Sequence, residues 1–514
     1  MARAAYTLYF VANLAPRALM FVLLLVLTRL MPMAEYGLFV LVITTGELFD
    51  MALGNWVRVF ALRSEGGSGR VRPRRFGRIV ALTGVTTGVS LALAAASGLV
   101  RQEQGTPFAL AVAAYLIAFA PLRLSLILLQ IRRMHRSYAA VEALRAGGTL
   151  LAATGAALAV GPNFLATALG LAGATLLAGL VGLALALRGV APPQRARTGY
   201  GAALAFGLPI MLASLLAYTL GLVDRYAVDV LMGPHAVAVL AAAYSLSRQP
   251  VDLFAGPLNS YAFPHLVRTY ERDGAAAAGQ AQAGLLMTLM MIGGAIVAGL
   301  ALLACPLLAV VLPEDYRPDG ALLVPWLALG SLFIITKFFI FDNAFHLSKR
   351  TWLQPVSMLP SALLGLLLCC VLIPRLGIVG AGIAYAMAGA AACLVTGLVT
   401  SRVVPIPMPW GGLARIAASN VCAALVLVGV RNLLGPAGPL AVLVGSTLAY
   451  GVVYAAALTL LGVSIRRALE APWDLPGSAA EAGVTLKALP RTSSLRRTSS
   501  LPETSLPETS LPKP

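Results

Sequence analysis

The chain has 514 residues, of which 59% are hydrophobic and 11% are charged, and its mean hydropathy is +0.85. Soluble domains carry a charge on about a quarter of their residues, so a soluble fold is excluded. The net charge of +18 comes from Lys and Arg that separate apolar segments instead of forming one basic domain, and this argues against nucleic acid as a partner.

Apolar segments recur along the chain at a length of about twenty residues, enough to cross a hydrocarbon layer of roughly 30 Å. Backbone polar groups in lipid must find partners within their own segment, so these segments predict transmembrane helices and an all-α, polytopic membrane protein. We place about fourteen helices. They lie at 6–30, 36–57, 78–100, 107–131, 138–160, 163–187, 200–222, 236–262, 282–312, 321–346, 351–373, 379–401, 412–431 and 438–463.

Polar stretches divide these predicted helices into groups. The expected organisation is a first six-helix bundle (1–187), a cytoplasmic linker (188–199), a second six-helix bundle (200–404), helices 13 and 14 (405–463) and a disordered cytoplasmic tail (464–514). The tail has low complexity and cannot bury a core. The paired arginines Arg466 and Arg467 at its start are expected to bind anionic membrane lipids.

The two groups of six show signs of a parallel repeat. Residues 30–37 (LMPMAEYG) match residues 231–238 (LMGPHAVA) at an offset of 201. The basic pair at 132–133 before span five recurs at 349–350 before span eleven. Parallel repeats occur in transporters whose two halves rock about a central binding site.

Lys and Arg accumulate in alternate loops, eighteen in one set and six in the other. We call these the arginine-rich side and the arginine-poor side. By the positive-inside rule the asymmetry supports fourteen helices, with both termini cytoplasmic, although twelve would fit if one pair of spans is over-counted. The arginine-rich loops hold Arg63, Arg70, Arg72, Arg74, Arg75, Arg78, Arg132, Arg133, Arg136, Arg188, Arg195, Arg197, Arg268, Arg272, Lys349, Arg350, Arg402 and Arg415; the arginine-poor loops hold Arg29, Arg101, Arg225, Arg317, Arg375 and Arg431.

No motif for catalysis occurs in a plausible structural context: there is no nucleophile elbow, Walker loop, dinucleotide fingerprint or zinc-ligand spacing. We therefore expect no enzyme activity, no metal and no cofactor, with H⁺ or Na⁺ as candidate coupling ions. The five cysteines lie inside apolar spans and form no CxxC pair, so we expect buried free thiols. They are Cys305, Cys369, Cys370, Cys393 and Cys422.

Charged residues inside the spans are the strongest functional candidates, because a charge at mid-membrane normally faces a cavity or a partner. Glu47 and Asp50 lie three residues apart in the second span, on one helix face. The offset of 201 places Arg248 at the position equivalent to Glu47, with Asp252 one turn further on in the eighth span. These groups either line a cavity between the halves, with a carboxylate able to take up H⁺ or Na⁺, or form fixed ion pairs, Glu47 with Arg248 or Arg248 with Asp252.

Further cations lie at membrane depth. Arg145 is expected to pair with Glu142 three residues before it, whereas Arg17 and Arg123 are able to reach an interface. Lys337 lies five residues before Asp342. Side chains five residues apart project from different faces of an α-helix, so Asp342 is not expected to pair with Lys337, and Lys337 is a candidate to face a cavity. Three charges between spans seven and eight are expected to be solvated loop residues: Asp224, Arg225 and Asp229.

Several short strings carry a resemblance to a known family. They are EYGLF at 35–39, VDRY at 223–226, AAY at 242–244, FPHL at 263–266 and, most specifically, IPRLGIVGAGIA at 373–384. Through them the chain resembles, over roughly residues 6–465, the polysaccharide flippase family. These are the O-antigen and exopolysaccharide translocases of the multidrug/oligosaccharidyl-lipid/polysaccharide superfamily.

The resemblance implies two bundles in a V shape, a basic central cavity and alternating access in the cytoplasmic (inner) membrane. The implied substrate is an undecaprenyl-diphosphate-linked oligosaccharide, with glycosyltransferases or a polymerase as further partners. Arginine and lysine suit phosphate, so the resemblance makes five cations candidates to hold the diphosphate or acidic sugars. They are Arg17, Arg123, Arg145, Arg248 and Lys337.

Three alternatives to this function stay open. Two are transporters of the same superfamily, a small-molecule or drug exporter and a peptidoglycan-precursor flippase, and the mid-span cations argue against a cationic substrate. The third is a non-transporting scaffold for a glycan-assembly complex, docked through the basic loop Arg70–Arg78 and the tail.

Overall fold

The computed structural model describes residues 16, 18–65, 72–101, 104–190, 192, 200–434 and 438–473, and all regular structure in these ranges is helical. Three predictions fall on residues outside this description: the role of Arg17, most of the linker, and the tail beyond residue 473. The all-α fold class is confirmed.

The helices follow one another with short connections. They are α1 (Ala18–Leu30), α2 (Met33–Glu65), α3 (Pro73–Val100), α4 (Gly105–Ile131), α5 (His135–Ala159), α6 (Phe164–Leu187), α7 (Tyr200–Met232), α8 (Pro234–Leu302), α9 (Ala304–Val311), α10 (Glu314–Leu347), α11 (Leu353–Leu376), α12 (Ile378–Ser401), α13 (Trp410–Leu434), α14 (Pro439–Leu460) and α15 (Ile465–Glu470).

Ten of the described helices are long and apolar enough to cross a membrane, so the chain is a multi-pass membrane protein. α8 is a single run of 69 residues, but Gly274 breaks it with a φ of 85°. Predicted spans eight and nine lie on either side of this break. The exact number of membrane crossings stays a prediction.

The predicted repeat has a counterpart at the starts of two helices. α2 begins at Met33 and α8 begins at Pro234, the residue 201 positions later. The two starts also touch, because a Cβ on Gly37 would lie 1.9 Å from the carbonyl oxygen of Pro234. Only glycine allows the two backbones to approach this closely.

The hydrophobic core is shared on one side of the molecule and divided on the other. Near the arginine-poor side a single cluster joins α1, α2, α4, α6, α8, α10 and α11, with Leu27, Val42, Leu240 and Leu323 among its members. This cluster runs the length of the α1–α6 group but reaches α8–α12 only near the arginine-poor side. Towards the arginine-rich side two further clusters are separate from each other. One surrounds Trp56 on α2, α3, α4 and α7, and the other packs α8 against α10. The helix groups α1–α6 and α8–α12 therefore share a core on the arginine-poor side only, and we infer a cleft between them towards the arginine-rich side.

α7 connects the two groups. Its first turns pack on α2, where a Cβ on Gly207 would lie 2.0 Å from the Trp56 ring and Phe60 lies 6.2 Å from Phe206 between ring centroids. Its later part, at Val223 and Asp224, lies beside α11 and α12.

The last two long helices pack outside this arrangement. α13 and α14 share a core with the later part of α8 around Met291, Tyr450 and Tyr454. The Tyr454 hydroxyl donates to the Met291 carbonyl at 2.6 Å, and the Tyr450 hydroxyl donates to Asn420 Oδ1 at 2.6 Å.

All five cysteines are free, as expected, but the expected burial is wrong for most of them. Cys369 is buried and Cys393 is partly buried, whereas Cys305, Cys370 and Cys422 are exposed. Lipid-facing positions of a membrane helix are as apolar as core positions, so an apolar neighbourhood in the sequence does not distinguish the two.

Candidate functional site

A cluster of charges on the α1–α6 group centres on Asp50. Arg58 Nη1 donates to Asp50 Oδ2 at 2.9 Å and Arg123 Nε lies 3.4 Å from the same oxygen, so one carboxylate faces two guanidinium groups. Arg123 follows Pro121 inside α4, as its sequence position indicated. The three side chains are between 13% and 29% exposed, which leaves them partly open at membrane depth.

A π-helical segment at Asp50–Gly54 explains why Asp50 meets Arg58, a residue that sequence reasoning missed. Residues seven apart share one face of an α-helix, and a π segment inserts one residue, so positions eight apart come into line. Glu47 is half-buried and close enough to Arg123 to interact electrostatically. No hydrogen bond or ion pair joins Glu47 to another residue within the described part of the chain.

A second cluster lies on the α8 side and centres on Arg248. Its Nε donates to Asp252 Oδ2 at 2.9 Å, and its Nη1 donates to the Tyr244 hydroxyl. Of the two fixed pairs considered from the sequence, this one at i, i+4 is present, and the pair between Glu47 and Arg248 is not. The Arg248 and Asp252 side chains are each 36% exposed, and no described residue accepts a hydrogen bond from Arg248 Nη2.

Tyr244 connects this cluster to two more helices. Its ring lies under both Arg248 and Arg225, whose guanidinium carbons are 5.7 Å and 5.2 Å from the ring centroid. Tyr385 on α12 donates to the Tyr244 hydroxyl at 3.4 Å. Tyr244 entered the sequence analysis only as the last residue of the AAY string at 242–244, and Tyr385 was not singled out, because an aromatic residue in an apolar span carries no signal of its own.

The expectation that Asp224, Arg225 and Asp229 are solvated loop charges is wrong. All three lie within α7, which continues to Met232, and Asp224 is only 7% exposed. Arg225 donates to Thr44 on α2 at 3.0 Å, and Asp229 pairs with Arg101. The helix runs further than its apolar segment because Thr44 on α2 and Arg101 after α3 are partners for Arg225 and Asp229.

Lys337 also departs from its predicted environment. It is 1% exposed and its Nζ pairs with Asp342 Oδ2 at 2.7 Å, so it is buried within α10 instead of facing a cavity. A π segment at Lys337–Phe341 is again the reason, because the inserted residue brings positions five apart into line. Arg145 pairs with Glu142 at 2.8 Å, as predicted.

The structure therefore places the predicted site residues in separate clusters. Asp50 and Arg123 belong to the α1–α6 group, Arg248 and Asp252 belong to α8, and Arg225 on α7 contacts Thr44 on α2 and Tyr244 on α8. The described residues contain no group of three or more His, Cys, Asp or Glu side chains that could hold a metal ion.

Comparison with known proteins gives a family and a fold. A family model described as polysaccharide biosynthesis protein matches residues 4–270. The solved structure "Lipid II flippase MurJ, inward closed conformation" is similar with a TM-score of 0.70 and 12% identity, over 88% of this chain and 98% of that chain. Among curated protein sequences, none is similar enough to count as a match.

Two further solved structures share the fold. The eukaryotic MATE transporter AtDTX14 gives a TM-score of 0.54 at 14% identity, over 81% of this chain and 99% of that chain. The Vibrio cholerae MATE transporter VcmN gives 0.51 at 13% identity, over 78% and 96%. At these identities the likeness establishes the fold, which is that of the multidrug/oligosaccharidyl-lipid/polysaccharide transporters.

Proposed function

Because this chain belongs to the polysaccharide biosynthesis protein family, we propose that it flips a polyprenyl-diphosphate-linked oligosaccharide from the inner to the outer leaflet of the cytoplasmic membrane. The observation that carries this proposal is the divided core, from which we infer a cleft between the helix groups that opens towards the arginine-rich side. That side is cytoplasmic by the positive-inside rule, with both termini on it.

The chemistry of the cleft suits an anionic head group. Arg248 uses Nε and Nη1 within its own cluster and keeps Nη2 for a ligand, and arginine forms strong, charge-assisted bonds with phosphate oxygens. Arg123 and Arg58 share one carboxylate, so their combined charge exceeds that of Asp50 by one unit. We propose that the Arg123 and Arg248 clusters line the cleft from opposite helix groups, so that a diphosphate entering it would meet cations from both.

Alternating access requires contacts on the arginine-poor side to break as the arginine-rich side closes. Three polar contacts of this kind join the α1–α6 group to its neighbours: Arg101 with Asp229 and Arg225 with Thr44 reach α7, and the Arg29 guanidinium reaches the Val311 carbonyl of α9 at 3.1 Å. Each involves only a few polar atoms, so none buries a large apolar surface. We assign H⁺ or Na⁺ coupling, if the transporter is driven by an ion gradient, to Glu47 and Asp50.

A peptidoglycan-precursor flippase is the second candidate, favoured by the similarity in fold to the MurJ structure. The first experiment depletes the protein and measures lipid-linked oligosaccharide and lipid II on the inner leaflet. The cells are then complemented with the wild type, Arg248→Ala, or Arg272→Ala as a matched control on the same helix, where Arg272 is exposed.

We expect lipid-linked oligosaccharide to accumulate on depletion, and we expect wild type and Arg272→Ala, but not Arg248→Ala, to release it at equal membrane levels. Accumulation of lipid II alone would support the second candidate. If neither lipid accumulates and sensitivity to small toxic compounds rises, the protein is an exporter. A scaffold would tolerate simultaneous neutralisation of Glu47, Arg123 and Arg248.

A further inference from the structure

The elbow of α8 is the most conspicuous break in a described helix. Gly274 has a φ of 85° and a ψ of −178°, a conformation that favours glycine. We call residues 234–273 the first arm and residues 275–302 the second arm. The first arm carries Arg248 and Asp252, which the proposed function places beside the cleft, so the angle at the elbow affects where these two residues lie.

The first arm is also deformable. It contains Pro250, Pro257 and Pro264, and each proline lacks the N–H that would bond one turn back. Helices bend at such positions. All three lie between Arg248 and the elbow. The part of the arm next to the elbow can therefore bend away without unfolding the part that carries Arg248.

A short segment near the end of the described chain rests on this deformable part. We call residues 470–473, which are the last residue of α15 and the three residues after it, the C-terminal strap. The Trp473 ring stacks on His265 with centroids 4.0 Å apart and planes inclined by 15°. Tyr261 lies 5.4 Å from the same ring, and its hydroxyl donates to the Glu470 carbonyl at 3.5 Å.

The same strap is held by the second arm. Thr288 Oγ1 donates to the Pro472 carbonyl at 2.9 Å. Gly284 admits the strap backbone, because a Cβ at that position would lie 2.4 Å from the Trp473 carbonyl oxygen. The strap therefore touches both arms of α8, at His265 before the elbow and at Gly284 after it.

His265 and Gly284 lie nine and ten residues from Gly274, about 14–15 Å along each arm at the rise of an α-helix. A tie at this distance from a hinge restrains the angle between the arms. We propose that the C-terminal strap limits the elbow angle of α8 and so regulates how far the cleft opens towards the arginine-rich side. This rests on the proposed function, because the opening matters to transport only if the cleft carries substrate.

Distances between pairs of spin labels on the full-length protein in lipid nanodiscs test the proposal without any substrate. The native cysteines are replaced, and one pair, Arg268→Cys with Gln280→Cys, reports the elbow. A second pair, Arg268→Cys with Arg133→Cys, reports the cleft from exposed positions on both helix groups. Trp473→Ala removes the stacked ring, and Thr288→Val removes the hydrogen bond while keeping the side-chain shape.

We expect Trp473→Ala to broaden both distance distributions by about twofold and Thr288→Val to broaden them less, as for the release of a hinge. Trp410→Ala, which removes a 72% exposed ring on α13, should leave both distributions unchanged. The proposal would be overturned if Trp473→Ala and Thr288→Val both kept the wild-type distribution width at the elbow pair, or both kept it at the cleft pair. Broadened distributions in a protein that moves no lipid-linked glycan would support the strap and refute the proposed function alone.

Discussion

Several charged side chains within the helices are held by partners at short range. Asp50 is shared by Arg58 and Arg123, Arg248 is held by Asp252 and Tyr244, and the Lys337 ammonium is held by Asp342. The degree of exposure separates their roles. The Arg248 side chain is 36% exposed, which suits a ligand-binding group, whereas Lys337 at 1% can only stabilise the packing around it.

Asp342→Asn should therefore destabilise the protein without touching the cleft. The change leaves the buried Lys337 ammonium without its counter-charge, and breaking a buried pair in this way costs about 3–5 kcal/mol. Thermal unfolding in detergent measures the effect. The control is Glu470→Gln, because the Arg466–Glu470 pair is 85% and 62% exposed and should contribute nothing measurable. Equal melting temperatures for the two variants would refute the structural role of Lys337.

Helix geometry determines which residues meet at the scale of single elements. Both π segments insert one residue at a charged position, Asp50 in α2 and Lys337 in α10, and each aligns an ion pair that α-helical spacing would separate. α2 and α8 meet end to end at Gly37 and Pro234, at the arginine-poor limit of the shared core. That contact holds the two helix groups together where the cleft is closed.

Gly37→Ala should weaken this closure. The new methyl group would collide with the backbone of Pro234, and overpacking of this kind costs about 1–3 kcal/mol. We expect a lower melting temperature and faster labelling of Thr45→Cys by a membrane-impermeant thiol reagent added from the arginine-poor side. Gly155→Ala is the matched control, because no atom lies within 4 Å of its new methyl group. Unchanged labelling in Gly37→Ala would show that this contact does not hold the closed side.

The whole molecule is built around two helix groups that share a core on one side only. α7 bridges them, packing on α2 near Gly207 and beside α11 and α12 near Asp224. Because the apolar core is continuous on the arginine-poor side, separation there must expose apolar surface or exchange it for lipid, whereas closure of the cleft buries new surface. Polar contacts such as Arg101 with Asp229 can then decide when the shared side opens.

Cross-linking across the closed side should stop transport. Arg101→Cys and Asp229→Cys, joined by a short cleavable thiol reagent, would fix α7 against the connection between α3 and α4. We expect transport of the lipid-linked glycan to fall to background and to return when the linker is cleaved. Arg132→Cys with Arg188→Cys is the control, because Arg132 already reaches the Ala186 carbonyl at 2.6 Å within one helix group. Transport that continues through the Arg101–Asp229 link would contradict alternating access across this side.

The sequence by itself determined the properties that depend on composition and local spacing. Long apolar segments require helices in lipid, which specified the all-α membrane fold, and the short strings at 35–39 and 373–384 indicated the family that the comparisons confirm. The sequence also allowed two ion pairs to be predicted, because their members lie on one face of an α-helix. These are Arg145 with Glu142 at i, i+3 and Arg248 with Asp252 at i, i+4.

Only the tertiary structure decided which other charges meet. Lys337 pairs with Asp342 through a π insertion that periodic reasoning does not anticipate, and Arg225 pairs with Thr44 because α7 packs against α2. The spacing of residues along the chain predicts neither effect. The π insertion changes the helical register, and the contact between α7 and α2 depends on the distance between helix axes. The cleft has the same origin, because it exists where two helix groups stop sharing a core.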